Sequence, residues 1–343
     1  MVLSVCEAGD SGVLKRIALN EHVEGLGMID ICLLGTCGMM PMPGRWLSCA
    51  LVRCGSHLIL IDCGEGTQVP WKTLGWGFRQ LGAICLTHMH ADHVAGLPGV
   101  LFMVAHAGRT EPLDIYGPVG TTYVVEGLRR IAADLPFPIH IHELKHGTQF
   151  LLPGELQASC CSAAHGIPCL AYRMELKRRP AFLPERARAL GLPVQYWSKL
   201  QHGESVEYNG EIFRPEQVLG AARRGISLAM ITDTRPTEQL SAFARDVDLL
   251  ICESMYDDPA DLPQARANAH MLASESATIA LKAGAHQLIL THFSPKIADT
   301  SRAETAARRI FPGARAARDG MVITLDYPDE PQLASESVSG PTS

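Results

Sequence analysis

The chain has 343 residues, 47% of them hydrophobic, with a formal net charge of −6 and a pI near 6.2. That apolar content can supply the core of one large domain, and the acidic balance excludes a global basic field, so any contact with nucleic acid must come from a local patch. Met1 to Gly9 carry acid where a leader would carry base, no apolar run nears the roughly 18 residues of a membrane span, and eleven cysteines without a Cys-x-x-Cys pair read as reduced thiols; a cytoplasmic protein without a membrane partner is expected.

Residues 1–26 show no periodicity and read as a loose N-terminal extension. From Met28–Leu34 onward, short apolar strand patterns follow at Ala50–Arg53, His57–Ile61, Ala83–Leu86, Leu113–Tyr116, Leu156–Ser162, Ala171–Glu175, Ser227–Ile231, Leu249–Cys252, Gln287–Leu290 and Met321–Leu325. Helical patterns are expected at Leu97–His106, Thr121–Asp134, Thr237–Ala244, Ala269–Lys282 and Arg302–Ile310. The mixture predicts an α/β fold in one domain over 27–328. A polar, proline-bearing stretch at about 177–224 reads as a protruding insertion, and the Ser/Pro/Glu-rich 329–343 as a disordered tail.

The chemistry concentrates at Thr87-His88-Met89-His90-Ala91-Asp92-His93. Imidazole and carboxylate are the ligands that suit zinc, and a hydrolytic site needs about three per metal with a position left for water. His88 and His90 point the same way in extended chain, while Asp92 and His93, beyond the turn, can face a second ion roughly 3.5–4 Å away. A surface cluster without a role is the competing reading. His165, Asp233 and His292 each follow an apolar strand, and strand ends converge on one edge of a sheet. Singly, His165 or His292 would pass as an ordinary histidine; with the first cluster they form a site. Asp62 either fixes a histidine from behind or caps the turn at Cys63–Thr67.

These residues resemble the metallo-β-lactamase superfamily through Thr-His-x-His-x-Asp-His. Within it they resemble the ribonuclease Z family through Asp62-Cys63-Gly64-Glu65-Gly66-Thr67-Gln68, Asp233-Thr234-Arg235-Pro236, Cys252-Glu253, His270 and Thr291-His292-Phe293-Ser294-Pro295. The resemblance implies a four-layer αβ/βα sandwich holding two Zn2+, with Mn2+ or Fe2+ as possible substitutes. His88, His90 and His165 would hold one ion, Asp92, His93 and His292 the other, and Asp233 would bridge. It implies a zinc-dependent endoribonuclease that removes the 3′ trailer of precursor tRNA, leaving a 3′-hydroxyl and a 5′-phosphate. Asp92 would orient the water, and Glu253 with His270 would protonate the leaving oxygen; a helix start is the other reading of His270.

The segment Phe182 to Val206 resembles the family's protruding arm, which implies a homodimer, and Lys177, Arg178, Arg179, Arg186 and Arg188 could meet tRNA phosphates or form a solvated charged face. No DNA partner is expected. The arm tip, the Met-rich loop Cys37–Gly44 and Cys252 depart from the family pattern. The rival readings are a phosphodiesterase of small substrates and a non-catalytic RNA-binding or metal-storage protein.

Overall fold

The computed structural model describes residues 27–132 and 134–328; the expected N-terminal extension and tail lie outside them. One sheet contains β1 (Met28–Gly35), β2 (Cys49–Cys54), β3 (His57–Ile61), β4 (Leu81–Cys85), β5 (Leu113–Gly117) and β6 (Ile139–Glu143). The other contains β7 (Gln149–Leu152), β8 (Leu156–Ser162), β9 (Leu170–Arg178), β12 (Arg223–Ile231), β13 (Leu249–Glu253), β14 (Leu288–Thr291) and β15 (Ala314–Ala316). A hairpin of β10 (Val206–Tyr208) and β11 (Glu211–Phe213) stands apart, and β16 (Met321–Asp326) returns to the first sheet beside β1. The orders are β16-β1-β2-β3-β4-β5-β6 and β15-β14-β13-β12-β9-β8-β7.

Alternation of side chains makes each strand two-faced. In β12, Leu228 and Met230 face the other sheet while Ala229 and Ile231 face helices. Ala83 and Cys85 of β4 point inward in the same way, and Ile84 outward. Helices Gln68–Leu74, Leu97–His106 and Thr121–Leu128 cover the first sheet through Trp71, Val100, Val104 and Val125. Helices Glu238–Phe243, Ala273–Ala283 and Ser301–Arg308 cover the second through Leu240, Ala277, Ala280, Ala303 and Ala307. The result is the four-layer αβ/βα sandwich, with apolar burial worth ~1.5–3 kcal/mol per fully buried large side chain holding its layers.

Strands β3 to β6 run parallel, as do β12 to β15. Parallel strands end together, and the loops beyond their carboxyl ends form a cleft. Tyr172 of β9 ties the sheets behind it, donating through its hydroxyl to the Leu86 carbonyl at 2.7 Å.

Three expectations change. The helix expected from Ala269 begins at Ala273, because Ala269 adopts a left-handed φ of 56°; Glu253 accepts the Met271 amide and Glu275 the Leu272 amide, which caps the helix at its new start. The helix expected to reach Asp134 ends at Leu128 and tightens into a 3₁₀ turn over Arg129–Ala132. The insertion is narrower than 177–224, since Lys177, Arg178, Arg223 and Arg224 belong to β9 and β12.

Beyond the sheet, the insertion carries its own small core. Ala187, Leu192, Leu200, Val206, Phe213 and Val218 are buried together, with Phe182, Tyr196, Trp197 and Tyr208 packed around them. Its ends meet at a stem where the Gly220 amide donates to the Ala181 carbonyl at 2.7 Å. The five basic residues expected as one patch lie on separate elements. Lys177 and Arg178 finish β9 and Arg179 follows, with Arg178 donating to the Pro328 carbonyl at 3.0 Å and Arg179 near Glu155. Arg186 and Arg188 sit on helix Pro184–Ala189, where Arg188 lies 5.6 Å from the Trp197 ring centre.

Candidate metal centre

The cleft gathers residues from five strand ends. Asp62 follows β3, the Thr87–His93 loop follows β4, Asp233 follows β12, Glu253 ends β13, and His292 follows β14. His165 lies three residues beyond β8, and His270 comes from the turn before helix Ala273–Ala283. Asp62, Asp233 and His292 adopt left-handed φ of 61°, 50° and 56°. Such backbone is uncommon away from glycine, although Asp and His adopt it more often than most residues, and it persists where surroundings enforce it.

Glycine makes the loop packing possible at two points. A Cβ on Gly96 would stand 1.9 Å from the Gly64 carbonyl oxygen, and one on Gly64 2.2 Å from that of Asp92. These contacts press the Asp62–Thr67 turn against the metal-binding loop, whose His93 carbonyl accepts the Cys63 amide at 2.7 Å.

Four sets of donor atoms each lie within 4.8 Å of one another: His88, His90 and His165; His88, His93 and Asp233; Asp92, His93 and His292; and Asp233, His270 and His292. Asp233 stands between them. One carboxylate oxygen lies 3.5 Å from His93 Nε2 and 3.2 Å from His292 Nε2, the other 3.7 Å from His88 Nε2. On the rim, His90 Nδ1 lies 3.0 Å from His88 Nε2 and 3.2 Å from His165 Nε2. All of the residues expected at the metals are thus brought together.

Burial grades the site: His88, His93, Asp233 and His292 are buried, Asp92 and His165 half-buried, and His90 exposed. Burial, reinforced by His93, pushes the His88 imidazole down to about 2, which suits a neutral ligand. Burial opposes charge on His93, yet Asp233 and Asp62 push it up to about 10. Burial would raise the Asp233 carboxyl, but His292, His93 and His88 hold it well below the usual carboxylate range. Asp92 is lowered likewise, against burial, by its hydrogen bond with His292 and by His93. A buried cluster of imidazoles and anionic carboxylates that draws in positive charge has the nitrogen and oxygen donors that divalent cations such as zinc take.

Behind these donors, Asp62 meets both the His93 ring and the start of the loop. One oxygen lies 2.8 Å from His93 Nδ1, while the other accepts the Thr87 amide at 2.7 Å, so the carboxylate orients the ring from behind. Glu253 is fully buried and holds His270: Nδ1 lies 3.1 Å from Oε2, which also accepts the Met271 amide, and Oε1 accepts the Thr234 amide at 2.5 Å. Burial opposes charge on His270, and Glu253 more than offsets this, pushing it up to about 8. Lys177, Arg178, Arg179, Arg186 and Arg188 form none of these contacts.

Two participants had no role in the sequence. The Met39 amide, in left-handed backbone at φ 68°, donates to Asp92 Oδ2 at 2.8 Å; nothing in the Met-rich loop marks this. Arg235 reaches Glu275 and the His270 carbonyl, and only its place in Asp-Thr-Arg-Pro gave a signal.

The sandwich and its cleft of histidine and aspartate donors define a metallo-β-lactamase-fold hydrolase. Superposition agrees: a metallo-β-lactamase-fold protein from Bacillus subtilis aligns with a TM-score of 0.63 at 19% identity over 87% of this chain and 99% of that one. Human tRNase Z, short form, aligns at 0.62 and 22% identity over 88% and 100%. The model of the family described as Anti-Pycsar protein Apyc1 matches residues 29–124, a stretch that ends before Asp233, Glu253, His270 and His292. A ribonuclease Z from Lachnoclostridium phytofermentans is 40% identical over 300 residues, covering 88% of this chain and 99% of its own. The chain belongs to the ribonuclease Z family. Among the described residues no helix is long and apolar enough to cross a membrane, and the ten cysteines are buried and free.

Proposed function

We propose that the chain is a zinc-dependent endoribonuclease that cuts the 3′ trailer from precursor tRNA, in one catalytic domain over 27–328. The observation that carries this is the His270–Glu253 pair set against Asp233, with His270 Nδ1 3.9 Å from the Asp233 carboxylate. A bare metal cluster serves many hydrolyses; a histidine with a buried carboxylate behind it suits one that must expel a poor leaving group such as a ribose alkoxide.

His88, His90 and His165 would hold one Zn2+, Asp92, His93 and His292 a second, with Asp233 shared. When bound, the pair supplies Lewis acidity at the scissile phosphate and makes a water there more acidic. Asp92 orients the attacking water by accepting its hydrogen bond, its Oδ2 already fixed by the Met39 amide. Glu253 occupies Nδ1 of His270, leaving Nε2 as the nitrogen free to carry the transferred proton. As the water oxygen bonds to phosphorus it gives up a proton to Asp92, and as the P–O3′ bond breaks His270 delivers its own proton to O3′. The products are a 3′-hydroxyl on the tRNA and a 5′-phosphate on the trailer.

Substrate choice is assigned to the arm, whose exposed Arg186 and Arg188 can meet backbone phosphates, and the working unit to a homodimer, which light scattering of the purified protein would test. End-labelled precursor tRNA incubated with zinc-loaded protein is the primary assay. One cut at the trailer junction with a free 3′-hydroxyl is expected. A 3′-phosphate product would refute the chemistry, and turnover of bis(4-nitrophenyl) phosphate without any RNA cut would favour a small-substrate phosphodiesterase.

A further inference from the structure

The geometry points to Arg235 and Glu275 as a brace that positions His270 for proton delivery, an inference that rests on His270 being the proton donor. The turn carrying His270 needs outside support, because Ala269 before it is in left-handed backbone, at φ 56°, with no glycine to make that conformation inexpensive. Glu253 holds the ring and the following amide. The carbonyl of His270 is held by Arg235 Nη1, which also donates to Glu275 Oε2 at 2.9 Å while Nη2 donates to Glu275 Oε1. His270 is thus gripped from the ring side by a carboxylate and from the backbone side by a guanidinium.

The brace is anchored at both ends. The Arg235 amide donates to the Ala164 carbonyl at 3.0 Å, immediately before His165, and Arg235 stands two residues after Asp233. Glu275 Oε2 accepts the Leu272 amide at 2.9 Å, fixing the carboxylate to the first turn of helix Ala273–Ala283. The backbone of Arg235 thus meets the loop bearing His165, and its side chain holds only the turn bearing His270 and the helix start at Glu275. The two partners keep only about a fifth of their side-chain surface exposed, 20% and 22%.

Only a planar guanidinium can meet a carboxylate with two donors and a carbonyl with one of them. A lysine would keep the charge and lose the fork. Glu275→Gln would keep an oxygen for the Leu272 amide and lose one acceptor for arginine. Neither residue reaches the metal donors, so both are positioning residues.

The test compares leaving groups. Precursor tRNA expels an alkoxide that needs a proton, whereas 4-nitrophenolate leaves unprotonated, so a fault confined to His270 slows only the RNA. Arg235→Lys, Glu275→Gln and, as reference, His270→Ala are assayed on precursor tRNA and bis(4-nitrophenyl) phosphate, with zinc content and melting temperature measured beside the rates. Misplacing a reacting group by about 1 Å costs on the order of 100-fold. The two brace variants are expected to lose about 10- to 100-fold in kcat on RNA with KM little changed, to stay within about 3-fold on the nitrophenyl ester, and to retain both zincs. Equal loss on both substrates, loss of zinc, or full RNA activity in both variants would overturn the brace. If His270→Ala itself slows both substrates alike, the proton-donor reading fails first and the brace falls with it, so the two failures are told apart.

Discussion

Left-handed backbone occurs both in the metal centre and in the arm, on different kinds of residue. In the arm it falls on Gly191, Gly203, Asn209 and Gly210, which adopt it at little cost and simply turn the chain. In the centre it falls on Asp62, Asp233 and His292, whose identity is set by chemistry. The centre spends stability to aim its side chains, while the arm folds around ordinary turns and an apolar cluster of its own. One region is shaped by its chemistry; the other packs on a core of its own and should be separable from it.

The largest way to challenge this division is His93→Ala, which leaves Asp62, Asp92 and Asp233 as carboxylates without their shared partner. Zinc content should fall, and hydrolysis of RNA and nitrophenyl ester together should drop to background; survival of either activity would show that the centre tolerates piecemeal change. Next is excision of 182–219, closed by a short Asn-Gly turn where Ala181 and Gly220 already meet. Precursor tRNA cleavage should be abolished and nitrophenyl ester turnover should stay within about 3-fold, the range of a change remote from the chemistry. Equal loss would mean that the arm supports the core.

Asp62→Ala should weaken zinc binding about 10- to 100-fold by freeing the His93 ring, read by competition with a chromophoric chelator. The smallest effect is expected from Leu200→Ala, which opens the arm's apolar cluster at a local cost of about 2–5 kcal/mol. Amide exchange should quicken across 182–219 and remain unchanged in β12 to β14, with ester turnover unaltered. Spread of the faster exchange into those strands would join the two regions into one cooperative unit.

The sequence was most informative where strands end. Apolar runs such as Leu228–Ile231 and Leu288–Leu290 stop at Asp233 and His292 because a polar ligand cannot continue a two-faced buried strand, so the periodicity break and the donor coincide. Three kinds of feature were hidden. β15 reads Ala314-Arg315-Ala316 and is a strand only through its pairing with β14, while β6 and β7 are half-exposed edge segments whose apolar pattern is interrupted. The turn at His270 carries helix-forming residues on both sides, and tertiary contacts from Glu253, Arg235 and Glu275 override that propensity. Met39 contributes a backbone amide, which every non-proline residue possesses, so no side-chain pattern could disclose it.

The position of β16 has a further consequence, for synthesis. Residues 321–326 lie beside β1, nearly three hundred positions earlier, and Asp319 accepts the Thr36 hydroxyl at 2.7 Å and the Trp46 amide at 2.5 Å, closing the mouth of the loop that carries Met39. A ribosome delivers the amino-terminal sheet first, with the outer edge of β1 unpaired, and unpaired edges invite association with other chains. The nascent chain must wait for β16, the last strand among the described residues, before that sheet is complete. Completion of that sheet, and with it the fastening of the loop that carries Met39, therefore comes only after residue 326 has left the ribosome.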